Sequence, residues 1–284
     1  MAGILTGLKS LGLENLENSE IFAEEESSKV KTPGKAAPKK FVSEVYECDL
    51  IYDKELKCPV CDKKFVTKIM KSSKAKLVGA DEDLRPKYQG IDSQKYDVVL
   101  CEKCGYAALS KSFNTIMPSQ IKQIKENVCD HVQLTEYDDP IYSYEQAEER
   151  YKLALACAVV KRAKVSEKAL ICLKSAWLYR GHRLELDMFG EDEEKLEALE
   201  AREIEYLENA YRGFLSAREK EPSPIAGMDT ATLDYLLAEL AFKFSEYDNS
   251  LKFINNILQA PNSERVKNKA RSIKEKIVEI KKPR

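Results

Sequence analysis

Histidine is nearly missing from this sequence: His131 and His182 are the only two. Chemistry that depends on imidazole therefore has little to draw on, and neither histidine sits in a motif with a partnered carboxylate, so both are expected to be surface or packing residues. Net charge is also nearly missing. The 46 basic and 48 acidic residues leave −2 at neutral pH, so no overall field draws the molecule to nucleic acid or anionic lipid. Long apolar runs are absent too. The longest, Leu153 to Val160, has eight residues, against about twenty needed to cross a bilayer. A soluble protein without membrane partners is expected. The start, Met1-Ala2-Gly3-Ile4, has no secretory apolar core, and its glycine stands one place too late for myristoylation, so the expected location is cytoplasmic.

Catalytic motifs are missing as well. There is no Gly-x-Ser-x-Gly elbow and no His-Glu-x-x-His, and Gly34-Lys35 is followed by Ala36 without the upstream glycine of a phosphate loop. No catalytic constellation assembles, and the protein is expected not to be an enzyme.

What the chain does have is eight cysteines. Without an export signal, a reducing compartment favours thiols and metal thiolates over disulfides. Cys58-Pro59-Val60-Cys61 and Cys101-Glu102-Lys103-Cys104-Gly105 each place two thiolates on a tight turn, where backbone amides can donate to sulfur. Two such turns complete the tetrahedron that zinc prefers, so Cys58, Cys61, Cys101 and Cys104 are expected to hold one structural Zn2+. A hairpin with an extended loop would bring the turns together, and Gly105 can take the positive φ that closes the second. The rival readings are a thioredoxin-like redox pair and four unliganded core cysteines; two pairs with flanking strands favour zinc. Cys157 and Cys172 lie on apolar helical faces and read as core residues. Cys129 and His131, two positions apart, point to different sides of a helix and should not share a metal. Cys48, ten residues before Cys58, is expected not to ligate.

The pattern along the chain predicts an α+β fold: a small zinc-ribbon-like β module followed by a larger all-α, tetratricopeptide-like domain. At 284 residues two compact units plus a tail are expected. Residues 1–44 read as a flexible N-terminal segment: the rough leucine stripe over 1–20 reads as a frayed terminus, with a weak docking helix as the alternative, and a polar linker covers 24–40. Residues 45–118 form the zinc-ribbon-like domain. Its strands are expected at 64–69 and 96–100, with a loop-like excursion over 72–92 between them. Residues 119–284 form the helical domain. Ser143 and Gln146 make a capping box for a helix to about 163. Ser166 can cap a second helix that stops at Gly181 or Gly190. A long charged helix fills 192–219, and three more lie near 229–245, 248–260 and 263–280. The spacing of Leu237, Ala238, Ala241, Tyr247, Ser250, Ile254, Ile257 and Pro261 loosely matches a tetratricopeptide repeat, with Ala238 and Asp234 in place of its glycine and first aromatic.

Two charge features bear on partners. Lys63, Lys64, Lys68, Lys71, Lys74 and Lys76 occur without an intervening acid, the basis of an alternative reading as a nucleic-acid-binding regulatory protein. Against it, residues 45–113 hold 13 basic and 11 acidic groups, and aromatic stacking partners are sparse there. In the helical part, residues 191–221 hold 11 acids and 5 bases, whereas 262–284 hold 9 bases and 3 acids. Most of these read as solvated helix faces. The expected partner is a protein or peptide held by the helical domain.

The cysteine pairs, with Asp81-Glu82-Asp83-Leu84-Arg85-Pro86-Lys87-Tyr88, Tyr96-Asp97, Tyr106-Ala107-Ala108 and Ala176-Trp177-Leu178-Tyr179-Arg180, resemble the bacterial domain of unknown function family 2225 over roughly residues 45–260. The resemblance implies a cytoplasmic bacterial protein with a zinc-ribbon head and tetratricopeptide-like helices, and Cys58, Cys61, Cys101 and Cys104 occupy the family's cysteine pairs. It supplies no catalytic residues to transfer.

Overall fold

The structure is a computed structural model that describes residues 45–134, 139–261 and 263–282. The N-terminal segment, with its leucine stripe and linker, lies outside the described residues. These residues belong to one compact unit, Glu44–Arg284.

The architecture is α+β. Three two-stranded antiparallel hairpins come first: β1 (Ile51–Lys57) with β2 (Lys64–Met70), β3 (Leu77–Ala80) with β4 (Pro86–Tyr88), and β5 (Val98–Leu100) with β6 (Ala107–Leu109). Seven α-helices follow among the described residues: α1 (Pro118–Ile124), α2 (Tyr144–Val160), α3 (Val165–Phe189), α4 (Glu193–Lys220), α5 (Thr230–Lys243), α6 (Tyr247–Gln259) and α7 (Glu264–Ile280). None is long and apolar enough to cross a membrane.

Local chemistry explains most boundaries. Ser143 accepts from the Gln146 amide while the Gln146 side chain returns to the Ser143 amide, which opens α2 with the expected capping box. Gly190, at φ 76°, ends α3, and the amide of Glu191 reaches back to the Leu186 carbonyl. Asp229 caps α5 by accepting from the Thr232 amide. Three expectations are corrected. Lys164, not Ser166, precedes α3; Ser166 lies in the first turn and donates its hydroxyl to Glu221. Tyr96 belongs to a 3-10 turn, Ser93–Tyr96, so β5 starts only at Val98. The excursion over 72–92 contains the β3–β4 hairpin. Helix α1, with proline at its first position, runs on as a π-helical turn, Lys125–Cys129, in the helical sequence that carries Cys129.

The change from strand to helix near residue 118 is as read, but packing crosses it. Hairpin β5–β6 is buried on both faces, and its side chains alternate. Val98, Leu100, Ala107 and Leu109 pack on Tyr144, Tyr151 and Ala154 of α2 and on Ile171 and Leu178 of α3. Val99 and Ala108 face the opposite cluster, with Phe65, Tyr106, Phe113 and Cys157. Packing therefore crosses Pro118: a hairpin this short cannot bury two apolar faces within its own module, and helical residues reach both.

The polar run 81–88 makes a second junction. Arg180 of α3 donates to Asp81 at 3.1 Å, to Asp83 at 3.0 Å and to Glu203 of α4 at 2.9 Å. Trp177 Nε1 donates to Asp83 at 3.0 Å, Tyr235 donates to the Glu82 carbonyl at 2.8 Å, and Arg85 joins Asp92 at 2.8 Å. Gly181 makes room for this network, since a Cβ there would stand 2.2 Å from Asp92 Oδ2. Buried charges persist only when paired: Asp81 and Asp83 anchor the run to α3 through Arg180, while Arg85 closes on Asp92 within the same segment.

The helical part packs as neighbouring antiparallel elements, α3 on α4, α5 on α6, and α7 across both. Ala238, Ala241 and Ser250 are fully buried where α5 meets α6, and Ser250 donates to the Ala238 carbonyl at 2.8 Å. Asp234, in the place of the repeat's aromatic, pairs with Arg218. The opposed charges of α4 and α7 do not pair with each other: Lys276 meets Glu82 and Lys281 meets Asp248.

Burial, with the adjacent Glu82 carboxylate reinforcing it, pushes the Glu239 carboxyl up from 4.5 to about 7. Lys276 opposes the shift and Asp83 adds to it. A raised carboxyl stabilises the fold while protonated, so its contribution is full below about pH 4.5 and is lost as pH rises through 7. Glu239→Gln should remove this decline and raise stability at pH 8 by on the order of 2 kcal/mol, read from urea midpoints at pH 5 and 8.

Candidate metal centre

Each cysteine pair is the turn of its own hairpin. The β1–β2 register runs to Leu56 with Phe65 and Lys57 with Lys64, which leaves Cys58–Lys63 as the turn. The Cys58 amide bonds the Lys63 carbonyl and the Asp62 amide bonds the Cys58 carbonyl, both at 3.0 Å. The β5–β6 register ends at Leu100 with Ala107, and the Cys101 amide bonds the Tyr106 carbonyl at 2.9 Å. Gly105, at φ 78°, closes this second turn as expected, and a Cβ there would also strike Val132 Cγ1 at 2.4 Å. The expected single hairpin with one extended loop is thus replaced by two hairpins tip to tip. The segment between them is not a slack loop, because its own hairpin and the 81–88 run are docked elsewhere.

This arrangement brings together Cys58, Cys61, Cys101 and Cys104, with all four sulfurs within 4.8 Å of one another. Cys58 Sγ lies 3.7 Å from Cys104 Sγ and Cys61 Sγ lies 3.7 Å from Cys101 Sγ, both approaches running between the two turns. A tetrahedron with metal–sulfur bonds of about 2.3 Å has edges of about 3.8 Å. The donor set therefore fits a tetrahedral thiophilic ion, and the spacing is far too long for disulfides. The Val60 amide donates to Cys58 Sγ at 3.4 Å, the outer contact that stabilises a ligating thiolate. Electrostatics agree. Thiols of Cys101 and Cys104 donating to it hold Cys58 down to about 2, while Cys104 is pushed up because its proton is shared with Cys101 and then Cys58. A cation bound by all four sulfurs takes them as thiolates, so its binding releases the protons they share.

The other cysteines fall outside the quartet. Cys48 is exposed and Cys172 is buried among the helices. Cys129 and Cys157 pack against the quartet, which spacing did not reveal: the π-helical turn carries Cys129, and Cys157 of α2 accepts from the Ala107 amide at 3.5 Å. Burial pushes both thiols up, Cys157 to about 11, so they stay protonated beside the site. His131 is exposed. His182 is buried, with its ring 4.9 Å from that of Tyr144 and nearly parallel to it.

The lysine run is divided. Lys64 pairs with Glu55 at 2.8 Å and Lys68 with Asp53 at 3.2 Å across the β1–β2 ladder, and Lys71 donates to the Asp49 carbonyl. Lys63 stands in the turn at one end of β2, whereas Lys74 and Lys76 lie beyond its other end.

No match to the chain was found among curated proteins, and none among solved structures. One family does match, described as "Uncharacterized protein conserved in bacteria (DUF2225)", over residues 51–277. That span takes in both cysteine pairs, the 81–88 run and the helices as far as α7, and the chain belongs to this bacterial family, DUF2225.

Proposed function

We propose that this is a non-catalytic zinc-binding protein of the cytoplasm, whose ion closes the tip-to-tip hairpins and whose helical part is a tetratricopeptide-like scaffold for a protein or peptide. The observation that carries the reading is the four-sulfur cluster, with its 3.7 Å edges between turns. Four thiolates favour zinc over harder cations, and a quartet of protein ligands leaves no open position for water or substrate. The ion supplies a cross-link, and the chain supplies its orientation through the Val60 amide and the left-handed Gly105. The scaffold reading rests on the antiparallel packing of α5, α6 and α7 and on the exposed Leu184, Met188 and Phe189 at the end of α3. The ladder pairing of Lys64 and Lys68 weighs against nucleic acid, because both charges already have partners.

Elemental analysis of protein purified without added metal tests the metal. About one zinc per chain is expected; a chain that folds with none, or with iron in its place, would overturn the assignment.

A further inference from the structure

The cysteine quartet leaves unused a cavity of about 530 Å³ between the β5–β6 hairpin, the first half of α3 and the 221–228 loop. Its volume lies in the range of small-molecule sites, which are mostly apolar with a few placed polar groups. One face of α3 forms a wall through Leu170, Leu173, Lys174 and Trp177, spaced as one helical stripe. Leu84 and Met228 close it from the loops.

Two observations point to a ligand. The first is backbone strain in both loops. Leu84 has φ 74° and Ala226 has φ 50°, left-handed conformations rare for residues with a β-carbon, and both line this cavity. The chain holds these side chains at the cavity against local preference. The second is unmatched charge. Two of the three acids lining the cavity are paired with a cation, Asp97 with Lys174 and Glu167 with Lys161, and the third, Glu221, is held at the start of α3 by the Ser166 amide and hydroxyl. Beyond those pairs one acid stands with two lysines, a balance of one positive charge. The ammonium groups of Lys111 and Lys164, both exposed at the cavity, meet no acid among the described residues. An apolar chamber with two unmatched cations calls for an amphipathic anion.

We propose that this cavity binds a small organic carboxylate, its ring or branched apolar body against Leu170, Leu173 and Trp177 and its head group between Lys111 and Lys164. This site is independent of the metal. It uses none of the four cysteines and takes a free small molecule, not the protein partner of the scaffold.

The test uses the full chain with its metal and 1-anilinonaphthalene-8-sulfonate as a fluorescent probe, displaced by indole-3-butyrate or by the neutral indole-3-butyramide. Saturable binding of one probe per chain is expected, with the acid displacing it about ten times more effectively than the amide. Lys111→Gln with Lys164→Gln should weaken the acid about ten-fold and leave the amide unchanged. Leu170→Trp, which fills the chamber, should remove probe binding with the circular dichroism of the fold intact. Equal displacement by acid and amide would overturn the proposal. So would probe binding that survives Leu170→Trp, or that falls equally for acid and amide in the lysine variant.

Discussion

Replacing Cys58 and Cys101 together by serine is expected to bring zinc from about one per chain to none and to unfold the hairpins of residues 51–113. The size of the effect follows from two scales. Structural zinc contributes on the order of 10 kcal/mol or more through thiolates in small modules, whereas a whole domain is stable by about 5–15 kcal/mol. Both sulfurs are fully buried, in one cluster with Phe65, Tyr106 and Phe113, so their loss opens an apolar core as well as a metal site. Damage should spread to α2, which covers the other face of β5–β6. Circular dichroism and thermal unfolding should therefore show a broad, weakened transition in place of one cooperative step. Cys48→Ser, at an exposed position, should change neither zinc content nor melting. Stoichiometric zinc in the double variant would sink the ligand assignment.

Arg180→Met is expected to destabilise the fold by about 3–5 kcal/mol, the cost of leaving buried charges without their partner. Asp83 is 6% exposed and Glu203 is 2% exposed, and Arg180 joins them. Methionine fills much of the volume but supplies no donor. Trp177 still reaches Asp83, and Arg183 and Lys243 stay within 3.5 Å of Glu203, which holds the loss below that of a fully stranded pair. Adding Asp83→Asn to Arg180→Met should recover part of the loss, since one uncompensated charge disappears. Urea midpoints of the wild type, both single variants and the double variant measure the coupling. A single-variant cost under about 1 kcal/mol would mean that the network is solvated and does not anchor the loop.

The cysteine quartet was legible because its information is local: two residues between cysteines fix a turn, and two turns fix four sulfurs. The α2 capping box and the stop at Gly190 were legible for the same reason, since the atoms that decide them lie within a few positions. What periodicity could not show is burial achieved by charge. Residues 81–88 read as a polar excursion, yet Asp83 is buried because its partners, Arg180 and Trp177, come from α3, and Arg85 because it closes on Asp92 within the same segment. The same blindness placed a clean boundary at Pro118: β5 and β6 have three residues each, too short to display which face needs a cover. Cys129 and Cys157 were missed as neighbours of the quartet because only the fold brings α2 and the π-helical turn to it.

The tip-to-tip hairpins also make a ring. Cys58 and Cys104, 46 positions apart, meet at one ion in the proposed site, so the chain between them is a closed circuit. That circuit carries Asp81 and Asp83, which dock on α3 through Arg180. Closing a ring of this size restricts the unfolded chain by about 4 kcal/mol in the loop-entropy picture, so part of the metal's stabilisation acts without touching the folded contacts. The ion and Arg180 then hold one circuit at two points, the first at its ends and the second near its middle. Losing the ion loosens the grip on Arg180 through the chain itself, with no path of contacting side chains required.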